Sequence, residues 1–205
     1  MQPENLHLSS TTDNAGVRFG MWLFLFTEIM LFGGLFILYS VYHHRYAADF
    51  AVGGKELELI LGTINTAVLL TSSFTVASAI EAMRKNARKT ALLLLSVTVL
   101  LGLIFLFDKY IEWSHKFAHG LYPGSARLLA GPKGIEIFFG LYFTLTGLHA
   151  LHVFIGSGVL STCLVFTAKG RITSERMNLL ENAGLFWHLV DIIWIFLFPL
   201  FYLVL

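Results

Sequence analysis

The chain has 205 residues, 56% of them hydrophobic and 13% charged, with a formal net charge of +1 and a mean hydropathy of +0.72. Soluble domains carry about 25% charged residues, so this is the composition of an integral membrane protein, and its organisation is read in spans. The near-neutral charge gives no sign of a nucleic-acid partner, and a single cysteine, Cys163, excludes an internal disulfide and any cysteine-built zinc or iron–sulfur site.

The first 16 residues are polar and mixed in charge. They show no basic n-region and no cleavage pattern, which reads as a retained cytoplasmic tail rather than a signal peptide. Five apolar runs follow, at about residues 17–42, 57–83, 91–113, 135–167 and 181–205. About 20 residues suffice to cross a bilayer, and lipid leaves backbone groups no partner but the helix itself. The expected fold is all-α: one polytopic membrane domain of five transmembrane helices. The one long loop, 114–134, contains Tyr122, Pro123 and Gly124, which signal a turn. The loop between spans two and three carries Arg84, Lys85, Arg88 and Lys89, and that between four and five carries Lys169, Arg171 and Arg176. With Arg18 that side has eight basic residues, against six on the other: Arg45, Lys55, Lys109, Lys116, Arg127 and Lys133. The positive-inside rule then places the N-terminus in the cytoplasm and the C-terminus outside.

Ionisable groups inside these spans are costly and need a reason. In the first span, Glu28 lies eleven residues beyond Val17, about 16 Å deep at 1.5 Å per residue, where a carboxyl needs a proton or a partner on another helix. Trp22 is a packing or lipid-facing residue there. In the second, Asn65, Thr66, Thr71, Ser72 and Ser73 are the small polar residues that bind helices together in lipid. In the third, Asp108, Glu112 and His115 share a face near the outer surface, which reads as solvated or paired among head groups, with Glu112 and Lys116 an i,i+4 pair. In the fourth, Gly140, Thr144, Gly147 and Gly158 fall within about 60° of one another on a helical wheel, a stripe that lets another helix approach closely. His149, His152 and Gly156 fall on the opposite face, so the fourth helix is expected at the centre. In the fifth, Trp187, Asp191 and Trp194 form one stripe, and His188 at its flank is within side-chain reach of Asp191. The histidines are open to two readings. They are hydrogen-bonded packing residues, or ligands: His149 or His152 facing His188 across a haem, or a Glu/His/Asp set around a divalent metal. Neither spacing is diagnostic. The sequence has no HExxH, no glycine-rich phosphate loop and no hydrolytic triad.

Specific motifs go further. WLFLFTEIMLFGG at 22–34, NTAVLLTSSFT at 65–75, GLIFLFDKYIEWSH at 102–115, TGLHALHVFIG at 146–156 and WHLVDIIWIFLF at 187–198 stand in this order. From Arg18 to the end, the chain closely resembles subunit III of the haem–copper terminal oxidases, in the short five-span bacterial form. The resemblance implies a subunit with no active site, haem or copper of its own. It implies a bacterial inner-membrane protein that packs against catalytic subunit I, which holds the haem and copper, alongside subunit II. It also implies bound phospholipid and support of proton uptake and lasting turnover as oxygen is reduced to water with cytochrome c or quinol as donor. Glu28, His149, His152, His188 and Asp191 map onto the family's proton- and lipid-support positions. Trp22, Asn65, Trp187 and Trp194 map onto its packing or lipid face. Asp108 stands where the family often has an uncharged glutamine, which departs from the pattern of the Asp108, Glu112 and His115 cluster. An accessory subunit of a nitric oxide reductase is the alternative within the same resemblance, and an independent His-ligated haem or metal protein the alternative outside it.

Overall fold

The computed structural model describes residues 4–203, with side chains from residue 16 onward. Residues 1–3 of the expected tail and the last two residues of the expected fifth span lie outside the described residues. The elements are α1 (Glu4–Arg45), α2 (Ala47–Lys55), α3 (Leu59–Arg84), α4 (Arg88–Ala118), α5 (Ala126–Leu129), α6 (Lys133–Ala168) and α7 (Asn178–Tyr202). Five helices are long and apolar enough to cross a membrane: Gly16–Arg45, Leu59–Arg84, Arg88–Ala118, Lys133–Ala168 and Asn178–Tyr202. They coincide with the five apolar runs, with three differences. Residues 4–15 of the polar tail continue α1, since no proline or glycine interrupts them. α4 runs on to Ala118 into the expected loop. The short helices α2 and α5 lie in what read as connections, because they are too short to show a helical period.

Helices α3, α4, α6 and α7 form a closed ring in which each packs on its two neighbours, while α1 leans on α7, α6 and α2 from outside. Three connections end in the same way. Asn86 (φ 57), Gly120 (φ 68) and Gly170 (φ 72) adopt left-handed backbone. The next residue donates back across the turn, Ala87 N–H to the Ala82 carbonyl (2.8 Å), Leu121 to Lys116 (2.9 Å) and Arg171 to Phe166 (2.9 Å). These are Schellman caps, which satisfy carbonyls that the helix end leaves orphaned. Arg88, counted above only as a topology signal, donates from Nε to the Thr167 carbonyl (2.9 Å) and from Nη2 to Ala168 (2.6 Å). Its charge also meets the negative end of the α6 dipole.

The centre of the ring is aromatic. Trp187 and Trp194 are fully buried, with Phe105 against Trp194 at 4.9 Å between ring centroids. The Trp187 indole is held between two glycines. A Cβ on Gly102 would lie 2.7 Å from Trp187 Cη2, and one on Gly156 2.9 Å from Trp187 Cε3. α6 is central as expected, touching α4, α7, α2, α1 and α5. Most of its small-residue stripe, however, faces outward. Gly140 and Gly158 have nothing within 4 Å of a built Cβ and Thr144 is exposed, while Gly147 alone of the four meets a neighbour, Trp113 Cη2 at 3.3 Å. The close approach occurs instead at Gly156, on the histidine face, because that side needs room for the indole.

Gly102→Leu or Gly156→Leu therefore forces the Trp187 ring out of its slot, at a cost of about 1–3 kcal/mol. The midpoint of thermal unfolding of the detergent-purified chain should fall for both variants and stay unchanged for Gly158→Ala. Equal midpoints for all three would show that the slot is not under packing constraint.

Candidate functional site: ionisable groups inside the bundle

Glu28 and His152 meet between α1 and α6, with Glu28 Oε2 2.8 Å from His152 Nε2 and side-chain exposures of 14% and 11%. The other ring nitrogen, Nδ1, lies 2.7 Å from the Leu148 carbonyl. A carbonyl only accepts, so Nδ1 carries a proton. The Nε2–Oε2 contact then shares one further proton, either as a carboxylic acid donating to imidazole or as imidazolium donating to carboxylate. Either form is neutral overall, which lowers the cost of holding both groups in lipid. Phe32 (5.4 Å) and Phe186 (6.2 Å) flank the imidazole. Two further polar contacts hold α1. Arg18 faces Glu181 at 4.0 Å, and the Tyr39 hydroxyl donates to the Leu200 carbonyl.

The α7 stripe is bonded to α3. Trp187 Nε1 donates to Ser72 Oγ (2.9 Å), Trp194 Nε1 donates to Thr66 Oγ1 (3.0 Å), and His188 Nδ1 is 2.6 Å from Ser73 Oγ. Thr66, Ser72 and Ser73 of the second span thus make inter-helix bonds, whereas exposed Thr71 donates to the Ala67 carbonyl of its own helix. The expected His188–Asp191 contact does not form. His188 turns to Ser73, and the buried Asp191 carboxyl lies beside the same Ser73 hydroxyl rather than against the imidazole. Asn65 and His149 are fully buried, and their side-chain polar atoms are unpaired among the described residues. His149 rests on Phe105 (5.4 Å) and Trp194 (5.1 Å). The three histidines thus face three different surroundings: Glu28, the Phe105–Trp194 pair, and Ser73. Trp22 points outward from α1 and is 63% exposed.

The outer cluster on α4 is rearranged relative to the expectation. Glu112 is not solvated. Its side chain is 0% exposed and pairs with Lys109 Nζ at 2.8 Å, not with Lys116. Tyr142 (2.7 Å) and Tyr202 (2.6 Å) both donate to Glu112 Oε1, and Lys109 also donates to the Tyr202 hydroxyl at 2.5 Å. Lys109 Nζ lies 4.7 Å from the Trp194 ring centre, a cation–π position. Asp108 is half-buried beside this pair, exposed His115 faces Glu58 at 3.5 Å, and Lys116 donates to the Glu56 carbonyl. One helical face therefore splits into a buried network and a wet rim, because α6 and α7 cover Glu112 but not His115. Sequence reasoning counted Lys109 only as an outer-side charge. Its i,i+3 spacing from Glu112 was visible, but the tyrosines that complete the box come from other helices. Among the described residues, no group of three His, Cys, Asp or Glu is placed to hold a metal ion.

The family described as cytochrome c oxidase subunit III matches this chain over residues 5–204. The chain belongs to that family. It is 34% identical over 200 residues to cytochrome c oxidase subunit 3 of Formosania lacustris, covering 91% of this chain and 69% of that protein. It is 35% identical over 196 residues to the subunit of the same name from Tetraodon nigroviridis, covering 89% and 67%. Cytochrome bo(3) ubiquinol oxidase subunit 3 of Pseudomonas aeruginosa is 33% identical over 186 residues, covering 90% of this chain and 83% of that protein. The subunit III family thus contains both the cytochrome c and the ubiquinol oxidase relatives, and the expected resemblance holds over nearly the whole chain. A subunit III fold here has its membrane-depth histidines spent on a carboxyl, a serine and an aromatic pair.

Removing one member of the buried pair strands the other. Glu112→Ala leaves Lys109 buried without its carboxylate partner and should cost about 3–5 kcal/mol, whereas Lys109→Met with Glu112→Leu should restore most of the loss. Thermal unfolding of the three proteins in detergent separates a true ion pair from a simple packing effect.

Proposed function

We propose that this chain acts as the non-catalytic subunit III of a respiratory haem–copper oxidase, packing on catalytic subunit I next to subunit II, holding phospholipid, and supporting proton uptake and stable turnover. Haem and copper belong to the partner in this reading. The chain is multi-pass in a bacterial inner membrane, with its N-terminus on the cytoplasmic side, where the Arg84–Lys89 and Lys169–Arg176 loops carry most of the basic charge. Family membership across residues 5–204 carries the proposal. The geometry supports it, because the buried histidines serve as inter-helix partners rather than converging on one point.

Glu28 and His152 are the proton-support candidates, since a carboxyl and an imidazole meet at 2.8 Å in the α1–α6 contact. Asp191, beside the Ser73–His188 bond, is the second. The chemistry of oxygen reduction stays in the partner, and this chain supplies a rigid, partly proton-labile wall. The relatives are about equally similar on the cytochrome c and quinol sides, at 34% and 33%. The donor is therefore read from subunit II: a copper-binding domain there goes with cytochrome c, and its absence with quinol.

A tagged chain should draw down a larger haem-bearing subunit from solubilised membranes, and the isolated chain should show no haem absorbance. Stoichiometric haem on the isolated chain would overturn the assignment. Glu28→Gln keeps an amide that can donate to His152, so assembly and initial oxygen consumption should remain near wild type. Alanine at His188 or Asp191 should loosen the chain from the complex or lower its retained lipid. Immediate loss of oxygen reduction in Glu28→Gln would show a direct rather than a supporting role.

A further inference from the structure

Two stripes of residues face each other along the seam between α3 and α7. On α3 they are positions 73, 77, 80 and 84, and on α7 positions 181, 184, 188 and 191. Steps of three and four residues keep each set on one side of its helix. At the end bearing Arg18 the seam opens as a cavity of about 320 Å³. Arg18, Arg84 and Glu181 stand at its mouth, Ala77 and Leu185 line its wall, and His188 is its deepest lining residue on α7. Glu181 lies 2.8 Å from Arg84 and 4.0 Å from Arg18. A cavity of this size, with charged groups at the mouth and an imidazole within, offers water the polar partners it needs.

Polar groups continue inward from the cavity. His188 Nδ1 is 2.6 Å from Ser73 Oγ, which leaves Nε2 as the ring nitrogen for the cavity side. The Asp191 carboxyl lies beside the same Ser73 hydroxyl and is 3% exposed. From Glu181 to Asp191 is about 15 Å along the helix, half of a hydrocarbon core of about 30 Å. A carboxyl buried at that depth is costly unless it can take up a proton.

Past Asp191 the seam is shut. Trp194 Nε1 donates across it to Thr66 Oγ1 at 3.0 Å. A Cβ on Gly62 would lie 2.8 Å from Tyr202 Cδ1 and 3.0 Å from Phe198 Cε2, so α3 and α7 are in direct contact there. The polar path therefore enters from one end and stops at mid-depth. A path open at one end only can load and release a proton without leaking it across the membrane.

We propose that Asp191 is a proton-storing site filled only from the Arg18 end, through the α3–α7 cavity, His188 and Ser73. This rests on the proton-support reading of Asp191 above and gives that carboxyl its route. His188 takes a proton from cavity water on Nε2 and passes the one on Nδ1 to Ser73 Oγ. The Ser73 hydroxyl proton moves to Asp191. One proton leaves water, one carboxylate becomes a carboxylic acid, and the imidazole ends as its other tautomer.

Infrared difference spectra of the purified complex, wild type minus D191N, should show a carboxylic-acid carbonyl band. In heavy water that band should shift while the core backbone amides remain unexchanged. S73A, which breaks the relay, and L185W, which fills the cavity, should keep the band and slow its shift severalfold. L189W, on the wall facing α1, should shift as wild type does. Absence of the band, or a band that never shifts, would overturn the proposal. So would S73A and L185W shifting as fast as wild type. In sealed vesicles, H188C should react with a charged, membrane-impermeant thiol reagent only where an N-terminal tag is open to protease. Cys163, the one native thiol, is buried. Reaction of H188C from the opposite face would also overturn the proposal. Wild-type oxygen consumption in D191N, with the spectra as expected, would count against the proton-support reading and leave the site standing.

Discussion

The bundle depends on where the Trp187 indole sits. Its ring lies between Gly102 of α4 and Gly156 of α6, and its N–H reaches Ser72 of α3. One side chain from α7 thus touches all three other helices of the ring. In lipid there is little hydrophobic drive between helices, so close van der Waals packing and inter-helix hydrogen bonds must hold them. Two missing side chains and one serine hydroxyl provide both at a single point. The Trp194–Thr66 and His188–Ser73 bonds extend the same arrangement along α7.

α1 is held by a different means. It is the least buried span, and polar contacts fix it near one end at Arg18, at mid-depth at Glu28 and toward the other end at Tyr39. A polar contact in lipid is directional and is worth about 0.6–2 kcal/mol. A few such contacts can set the position of a helix without covering its surface. This leaves long furrows beside α1 and gives a membrane subunit exposed apolar walls to share with lipid or a neighbouring chain. The Glu28–His152 contact therefore lies at the joint between the rigid ring and its outlying helix, where losing either partner would be felt as a change in how α1 is held.

The five spans were legible because apolar length alone specifies them. The family was legible because its motifs place rare residues, such as histidine and aspartate, inside apolar runs. The partners of those residues were not legible. His188 and Asp191 are three apart, and helical spacing allowed them to meet, yet Ser73 on another helix took the imidazole. Asp108, Glu112 and His115 looked alike on a wheel, but Tyr142 and Tyr202 enclosed only Glu112. A helical wheel gives angles on one helix and contains no information on which neighbour covers which side.

By itself, the sequence determined the five-helix membrane fold, the family, and which residues carry polar groups to membrane depth. Those are local properties of hydropathy, period and motif. Only the tertiary structure decided that α6 packs by its histidine face rather than its small-residue stripe. It likewise decided that Lys109 is buried in an aromatic box and that Glu28 belongs to His152. Each of these is a choice of partner across helices distant in the chain. Such choices are made by the shape of the assembled ring, by where glycines admit an indole and where a neighbouring helix excludes water.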